Sequence, residues 1–295
     1  MALVATLVAN PSNPVVTGDL VSRLSSAVNA GKTEWLATGV AADLMLAENT
    51  DGPAAETTLR SAIGALPVDV VIQKASTRRK KALLADMDST MIGQECIDEL
   101  AAEVGLKDKV AAITARAMNG EIEFEPAVRE RVALLKGLSI DIVDEIIEKR
   151  ITLTSGGKEL IATMKANGGY AALVSGGFTV FTSRIAAMLG FDENRANILL
   201  EDKGRLTGHV ADPILGREAK VEALRDVAAR RGISEADIMA VGDGANDLGM
   251  IRLAGSGVAL HAKPKVAAEA SIRIDHGDLT ALLYIQGYRL EEFAR

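Results

Sequence analysis

Residues 82–90, ALLADMDST, form a short aliphatic run that stops at two aspartates, Asp86 and Asp88, followed by the small polar Ser89 and Thr90. An apolar run of this length bounded by polar residues is the pattern of a strand buried on both faces, as in a parallel sheet. In open parallel sheets, ligands bind beyond the carboxyl ends of the strands. The two carboxylates therefore stand where chemistry is done. At i, i+2 spacing they can divide labour, one attacking an electrophile such as phosphorus and the other exchanging a proton with the leaving group. Aspartates also decorate strand ends for ordinary turn hydrogen bonding, so the pair needs company before it reads as a site.

Working outward, the same pattern returns. The runs YAALVSG (170–176), IMAVGDG (238–244), GSGVAL (255–260) and SIRI (271–274) alternate with helical periodicity over 158–166, 180–189 and 218–231, with Gly190 and Gly232 as C-terminal stops. Strands alternating with helices predict a doubly wound α/β sheet. About 80 residues separate DMDST from the next core strand, far more than one crossover helix needs. Helical periodicity near 97–104, 110–118, 126–135 and 140–147 makes this insertion a small helical cap. The segment 193–210, ENRANILLEDKGRLTGHV, reads as a β-hairpin around Asp202 to Gly204.

Upstream, LVATLVAN, DLVSRLSSAVNA, EWLATGV, ADLMLA, AETTLRSAIGAL and VDVVIQ follow the order β-α-β-β-α-β, which describes an α+β ferredoxin-like unit with both helices on one face of an antiparallel sheet. The run STRRKK (76–81) reads as a solvated basic linker. The expected boundaries are 1–75 for the first domain, 76–80 for the linker, 81–94 with 155–295 for the α/β core, and 95–154 for the cap.

With 295 residues, 48% apolar and 25% charged, the chain has the composition of a folded multidomain protein. A formal charge of −7 is a poor match to nucleic acid or an anionic membrane surface. The apolar stretch 170–190 is interrupted by Ser175, Thr182, Ser183 and Arg184, so no membrane span is expected. The single cysteine, Cys96, excludes an intrachain disulfide and fits a reducing, cytoplasmic setting. His209, His261 and His276 show no metal-ligand spacing.

Three further elements face the same chemistry. In ALVSGGF, Ser175 and Gly176 with Gly177 end a strand and open a helix, where a hydroxyl and main-chain N–H groups suit an anionic oxygen. In IMAVGDGANDLGM, Asp243 lies between two glycines at a strand end, with Asn246 and Asp247 beginning the next helix. Hard Mg²⁺ takes oxygen ligands and keeps waters, so Asp243 and Asp86 with a phosphate oxygen would suffice. Lys220 heads an amphipathic helix and, if it reaches the site, can hold Asp86 ionised. Each element alone also has a bland reading: a tight glycine turn, or a surface lysine.

Together, DMDST, SGG, Lys220 and GDGAND resemble, in order and spacing, the four motifs of the haloacid dehalogenase-like phosphohydrolases, and within them the phosphoserine phosphatases. The resemblance implies that Asp86 is a nucleophile that becomes an aspartyl phosphate, and that Asp88 protonates the leaving oxygen and later activates water. It implies Mg²⁺ held by Asp86, the Asp88 main-chain carbonyl and Asp243, with Asp247 in support. Ser175, Gly176, Asn246 and Lys220 would meet the phosphoryl group. Glu95 and Arg131 match the positions that hold a substrate ammonium and carboxylate, Arg129 being the rival, and Met118 and Phe124 match apolar cap residues. The implied substrate is phosphoserine, at the last step of serine biosynthesis. Another small phosphomonoester, transfer to an alcohol, or a serine-sensing module without turnover are the alternatives. The GDGAND loop is also similar to P-type ATPases, which carry a different nucleophile motif and need membrane helices. The first domain resembles ACT-like units and could pair two copies of the chain.

Overall fold

The structure is a computed structural model describing residues 2–118 and 121–294. The first domain comprises β1 (Leu3–Ala9), α1 (Gly18–Ala27), β2 (Lys32–Ala37), β3 (Ala41–Met45), α2 (Gly52–Ile63) and β4 (Val68–Lys74). Its sheet runs β2-β3-β1-β4 with every neighbouring pair antiparallel, the ferredoxin-type order expected. Side chains alternate across a strand. Accordingly Ala5, Leu7, Val68 and Val70 pack under the two helices, while Val8 and Val71 point the other way into the core of the second domain. Burial on both faces explains why LVATLVA is almost uniformly apolar.

The second domain begins with β5 (Ala82–Ala85), followed by the cap helices α3 (Cys96–Glu103), α4 (Lys107–Met118), α5 (Phe124–Ala133) and α6 (Ile142–Lys149). Then come α7 (Gly157–Ala166), β6 (Tyr170–Phe178), α8 (Thr179–Leu189), β7 (Glu193–Asn197), β8 (Leu199–Asp202), β9 (Arg205–Val210) and α9 (Arg217–Arg231). The chain ends with β10 (Ile238–Gly242), α10 (Leu248–Leu253), β11 (Ser256–Leu260), α11 (Pro264–Ala267), β12 (Ile272–Ile274) and α12 (Ala281–Ile285). The main sheet is parallel throughout, in the order β12-β11-β10-β5-β6-β7. Ala82 and Leu84 of β5 pack against Leu224 and Val227 of α9, whereas Leu83 and Ala85 join Leu160, Phe181 and Leu282 on the opposite face. The chain winds first to one side of β5 and then to the other. The carboxyl end of β5 is therefore the switch point where a ligand crevice opens.

Three expectations change. Residues 193–197 form the sixth strand of the main sheet, and the hairpin is confined to β8 and β9, turning at Lys203 and Gly204 with φ of 49° and 75°. Ser175 to Gly177 do not open the helix directly; the strand continues through an irregular end to Phe178, and α8 starts at Thr179. The run 76–81 is not a freely solvated linker. Arg78 pairs with buried Asp43 at 2.7 Å, Lys80 is itself buried with its ammonium on Ala236 O at 2.8 Å, and Arg79 stacks 3.9 Å over the Tyr288 ring. Among the described residues, no helix is long and apolar enough to cross a membrane.

Candidate active site

Asp86 follows the last residue of β5, and its main-chain N–H still donates to Val241 O at 3.0 Å, so the neighbouring strand fixes where its side chain emerges. Beyond it the chain turns sharply at Ser89, whose φ of 55° is rare for a residue with a side chain. The turn brings the Ser89 hydroxyl to Glu95 Oε1 at 2.8 Å, and Glu95 stands at the start of the first cap helix. One short segment thus carries both the strand-end aspartates and the first cap residue.

The Gly-Asp-Gly turn closes on the same point. A Cβ at Gly242 would lie 2.3 Å from Asp247 Cγ, and one at Gly244 would lie 2.2 Å from Asn246 Oδ1. Only glycine lets these side chains fold back beneath the strand end. Asp247, fully buried, accepts the Gly244 N–H at 3.0 Å through Oδ2 and Lys220 Nζ at 2.5 Å through Oδ1. Lys220 reaches from the first turns of α9 and meets Asp86 Oδ1 at 2.7 Å. Asp243 accepts the Thr90 hydroxyl at 3.1 Å.

Asp86, Asp243 and Asp247 each place a carboxylate oxygen within 4.8 Å of the others. Among the described residues one ammonium, that of Lys220, pairs with this cluster, which leaves an excess of negative charge. Burial and the Asp247 carboxylate push the Asp86 carboxyl well above its ordinary range, against the pull of Lys220. Burial with Asp247 raises Asp243 to about 6. Burial works to lower the Lys220 ammonium, but Asp86 and Asp247 outweigh it and hold the lysine charged. An all-oxygen donor set with unbalanced charge suits a hard divalent cation, so the residues present fit a metal.

Above the cluster lies a cavity of about 440 Å³ walled by core and cap. Of the residues singled out in the sequence, Asp86, Asp88, Glu95, Phe124, Arg131, Ser175, Gly176, Asp243 and Asn246 line it. Lys220 and Asp247 lie beneath its floor. The side chain of Met118 falls outside the described residues. Arg131 donates to Ala127 O at 3.1 Å and to the Thr114 hydroxyl at 3.3 Å. Burial lowers its guanidinium pKa, while Asp98, Glu95 and Asp88 pull it back up. Arg129, the rival, instead pairs with Asp212 at the surface. Asp88 Oδ1 is buried without a hydrogen-bond partner among the described residues, and burial followed by the Glu95 charge raises its carboxyl to about 7. The cavity also includes Asp98, Thr114 and Lys263, which no motif marks; Thr90, a small polar neighbour in the sequence, holds Asp243 through its hydroxyl. A lysine in HAKPKV has no spacing that distinguishes it from a surface charge.

The haloacid dehalogenase-like hydrolase family model matches residues 83–252, which contain the strand-end aspartates, the Ser-Gly-Gly segment, Lys220 and the Gly-Asp-Gly loop. The chain belongs to this family. Among haloacid dehalogenase-like proteins, the phosphoserine phosphatase of Archaeoglobus fulgidus is 45% identical over 218 residues, covering 72% of this chain and 63% of that relative. The match thus spans less than two thirds of that relative's length. A probable phosphoserine phosphatase from Vibrio cholerae, solved without ligand, is 30% identical with a TM-score of 0.79, covering 99% of this chain and 88% of that one. A phosphoserine phosphatase solved as a phosphoaspartyl intermediate analogue is 43% identical with a TM-score of 0.65, covering 70% of this chain and 98% of that one.

Proposed function

We infer that the chain is a Mg²⁺-dependent phosphoserine phosphatase, hydrolysing O-phospho-L-serine to L-serine and phosphate as the closing reaction of serine biosynthesis. The observation that carries this reading is the convergence, on one cavity, of Asp86 backed by Lys220 with Glu95 and Arg131, which line the same cavity. A zwitterionic phosphomonoester needs a nucleophile at one end and an anion and a planar cation at the other. The relatives named above supply the substrate by analogy.

In this mechanism the Asp86 carboxylate attacks phosphorus, forming its bond as the bond from phosphorus to the seryl oxygen breaks. Asp88, with a carboxyl near pH 7, gives its proton to the departing oxygen. Asp88 then takes a proton from water, and the hydroxide attacks phosphorus to release phosphate and restore Asp86. Ser175, Gly176, Asn246 and Lys220 hold the phosphoryl oxygens, Glu95 takes the ammonium, and Arg131 takes the carboxylate. Phe124, with Met118, would close the apolar side of the pocket. Asp86, the Asp88 main-chain carbonyl and Asp243, with Asp247 in support, would hold Mg²⁺, which when bound would supply charge neutralisation at the phosphoryl group.

The domain boundaries 1–75, 76–80, 81–94 with 155–295, and 95–154 belong to the same reading, as does a cytoplasmic, reducing setting for the single buried Cys96. Pairing of two copies through the first domain, where Trp35 is 40% exposed on edge strand β2, is testable by sedimentation. The deciding assay measures phosphate release from a panel of phosphomonoesters with and without Mg²⁺, with Asp86→Asn as control. Phosphoserine should rank among the best substrates; a panel in which it does not would overturn the assignment.

A further inference from the structure

Asn197, the last residue of β7, is 2% exposed and spends its whole side-chain amide on main chain. Its Nδ2 donates to Gly176 O at 2.8 Å and to Leu215 O at 3.3 Å, and its Oδ1 accepts the Leu215 N–H at 2.7 Å. These contacts fall where the sheet gives no support of its own, because the β6–β7 ladder is interrupted between Val174 and Phe178. They join the Ser-Gly-Gly segment to the loop that leads into α9, the helix bearing Lys220.

The Gly176–Gly177 peptide is the one in the site most free to rotate, since glycines on both sides lack the Cβ that would restrict it. In a trans peptide the C=O and N–H point in opposite directions. With Gly176 O held by Asn197, the Gly177 N–H is turned the other way, and it donates to Ser175 Oγ at 2.9 Å. Were this peptide to flip, a carbonyl oxygen would replace an N–H on the side of the Ser175 hydroxyl and repel an anion. The clamp also sets the seat of the cap. A Cβ at Gly176 would lie 3.6 Å from the Phe124 ring, and one at Gly216, next to Leu215, would lie 3.2 Å from it.

We propose that Asn197 is a positioning residue for the phosphoryl group: it fixes which face of the Gly176–Gly177 peptide meets the anion and holds that peptide in register with the Lys220 helix. This rests on the reading of the cavity as a phosphoryl site. Asn197 itself touches no reacting atom.

The test is calorimetric titration of the full chain with orthophosphate in the presence of Mg²⁺. Asn197→Asp keeps the size and the acceptor for Leu215 N–H but sets a carboxylate against Gly176 O. Orthophosphate affinity should fall at least about tenfold, the loss of a charge-sensitive hydrogen-bond arrangement. KM for phosphoserine should rise more than kcat falls, while Mg²⁺ affinity stays within about threefold because Asp86 and Asp243 follow the ends of other strands, β5 and β10. Asn197→Ala, which buries no charge, provides the same comparison should the aspartate variant fail to fold, with a smaller loss in the same direction. Folded variants that bind orthophosphate like the wild type, with only a lowered melting temperature, would show a packing role and overturn the inference. A wild-type chain that binds no orthophosphate would instead overturn the functional reading, and the inference with it.

Discussion

Lys220 Nζ stands 2.7 Å from Asp86 Oδ1 with both side chains buried, and the same ammonium serves Asp247. Its charge is what offsets the cost of an ionised Asp86 at the carboxyl end of β5. Removing one partner of a buried pair leaves an uncompensated charge and costs about 3–5 kcal/mol. Lys220→Met should therefore lower the melting temperature and leave Asp86 protonated at neutral pH. Since lost stabilisation of a developing anion typically costs on the order of 10²–10³ in kcat, a decrease of that size is expected in single-turnover phosphate release. Retention of more than a third of the wild-type rate would contradict the role.

The acid cluster makes stability depend on pH in a direction opposite to that of ordinary surface carboxylates. Asp243 is raised to about 6 and Asp88 to about 7, with Asp86 shifted the same way, from an ordinary value of 3.8. A carboxyl that binds its proton more tightly when folded stabilises the fold below its folded pKa, and this contribution is lost as pH rises through the interval between the unfolded and folded values. Metal-free protein should thus melt at a lower temperature at about pH 7.5 than at about pH 5.5. A divalent cation favours the deprotonated cluster, so added Mg²⁺ should raise the melting temperature more at the higher pH. Thermal melts in chelator and in Mg²⁺ across this interval provide the check. A chelated protein that grows more stable with rising pH there would count against the burial of these acids.

Arg131 and Arg129 share one helix but face different neighbours, the first lining the cavity and the second pairing with Asp212. In the proposed complex, a bidentate guanidinium on the phosphoserine carboxylate would be a charged hydrogen bond of about 1.5–3 kcal/mol. Arg131→Ala should raise KM for phosphoserine by about 10- to 100-fold with a smaller change in kcat, while phosphoethanolamine, which lacks the carboxylate, should be affected far less. Arg129→Ala should alter KM by less than about threefold, as expected for an exposed pair. Equal effects of the two substitutions would remove Arg131 from substrate recognition.

The legible parts of the sequence were those in which burial or spacing is local. ALLA before Asp86 reads as a central strand because its alternate residues enter two apolar clusters, and the glycines around Asp243 are demanded by side chains five or fewer residues away. The sequence reads Glu193–Asn197 as part of the hairpin; its place in the main sheet was hidden because ENRAN is polar and joins that sheet only by pairing with β6 at its edge. The basic run 76–81 reads as solvated for a related reason. Its partners, Asp43, Ala236 and Gln286, lie far away in the chain, so nothing local distinguishes a buried lysine at 80 from a solvated one.

The attachment of the first domain gives a final prediction. Asp69 of β4, 2% exposed, accepts the main-chain N–H groups of Asp275, His276 and Gly277 from the loop after β12, at 2.8 to 3.3 Å. Asn10 adds a bond to His276 O, and Gln73 reaches Ile285 O. A buried carboxylate gathering three N–H groups cannot be replaced by solvent without opening the joint between the domains. Asp69→Ala leaves those donors unpaired and should cost about 2–4 kcal/mol of stability. The active cavity has none of these groups in its wall. Turnover per folded molecule should therefore stay within about twofold of the wild type, since sites without shared partners behave nearly additively. A variant that keeps its melting temperature would show that the apolar contacts of Val8 and Val71 hold the joint on their own, whereas one that melts normally yet loses turnover would place Asp69 in communication with the site.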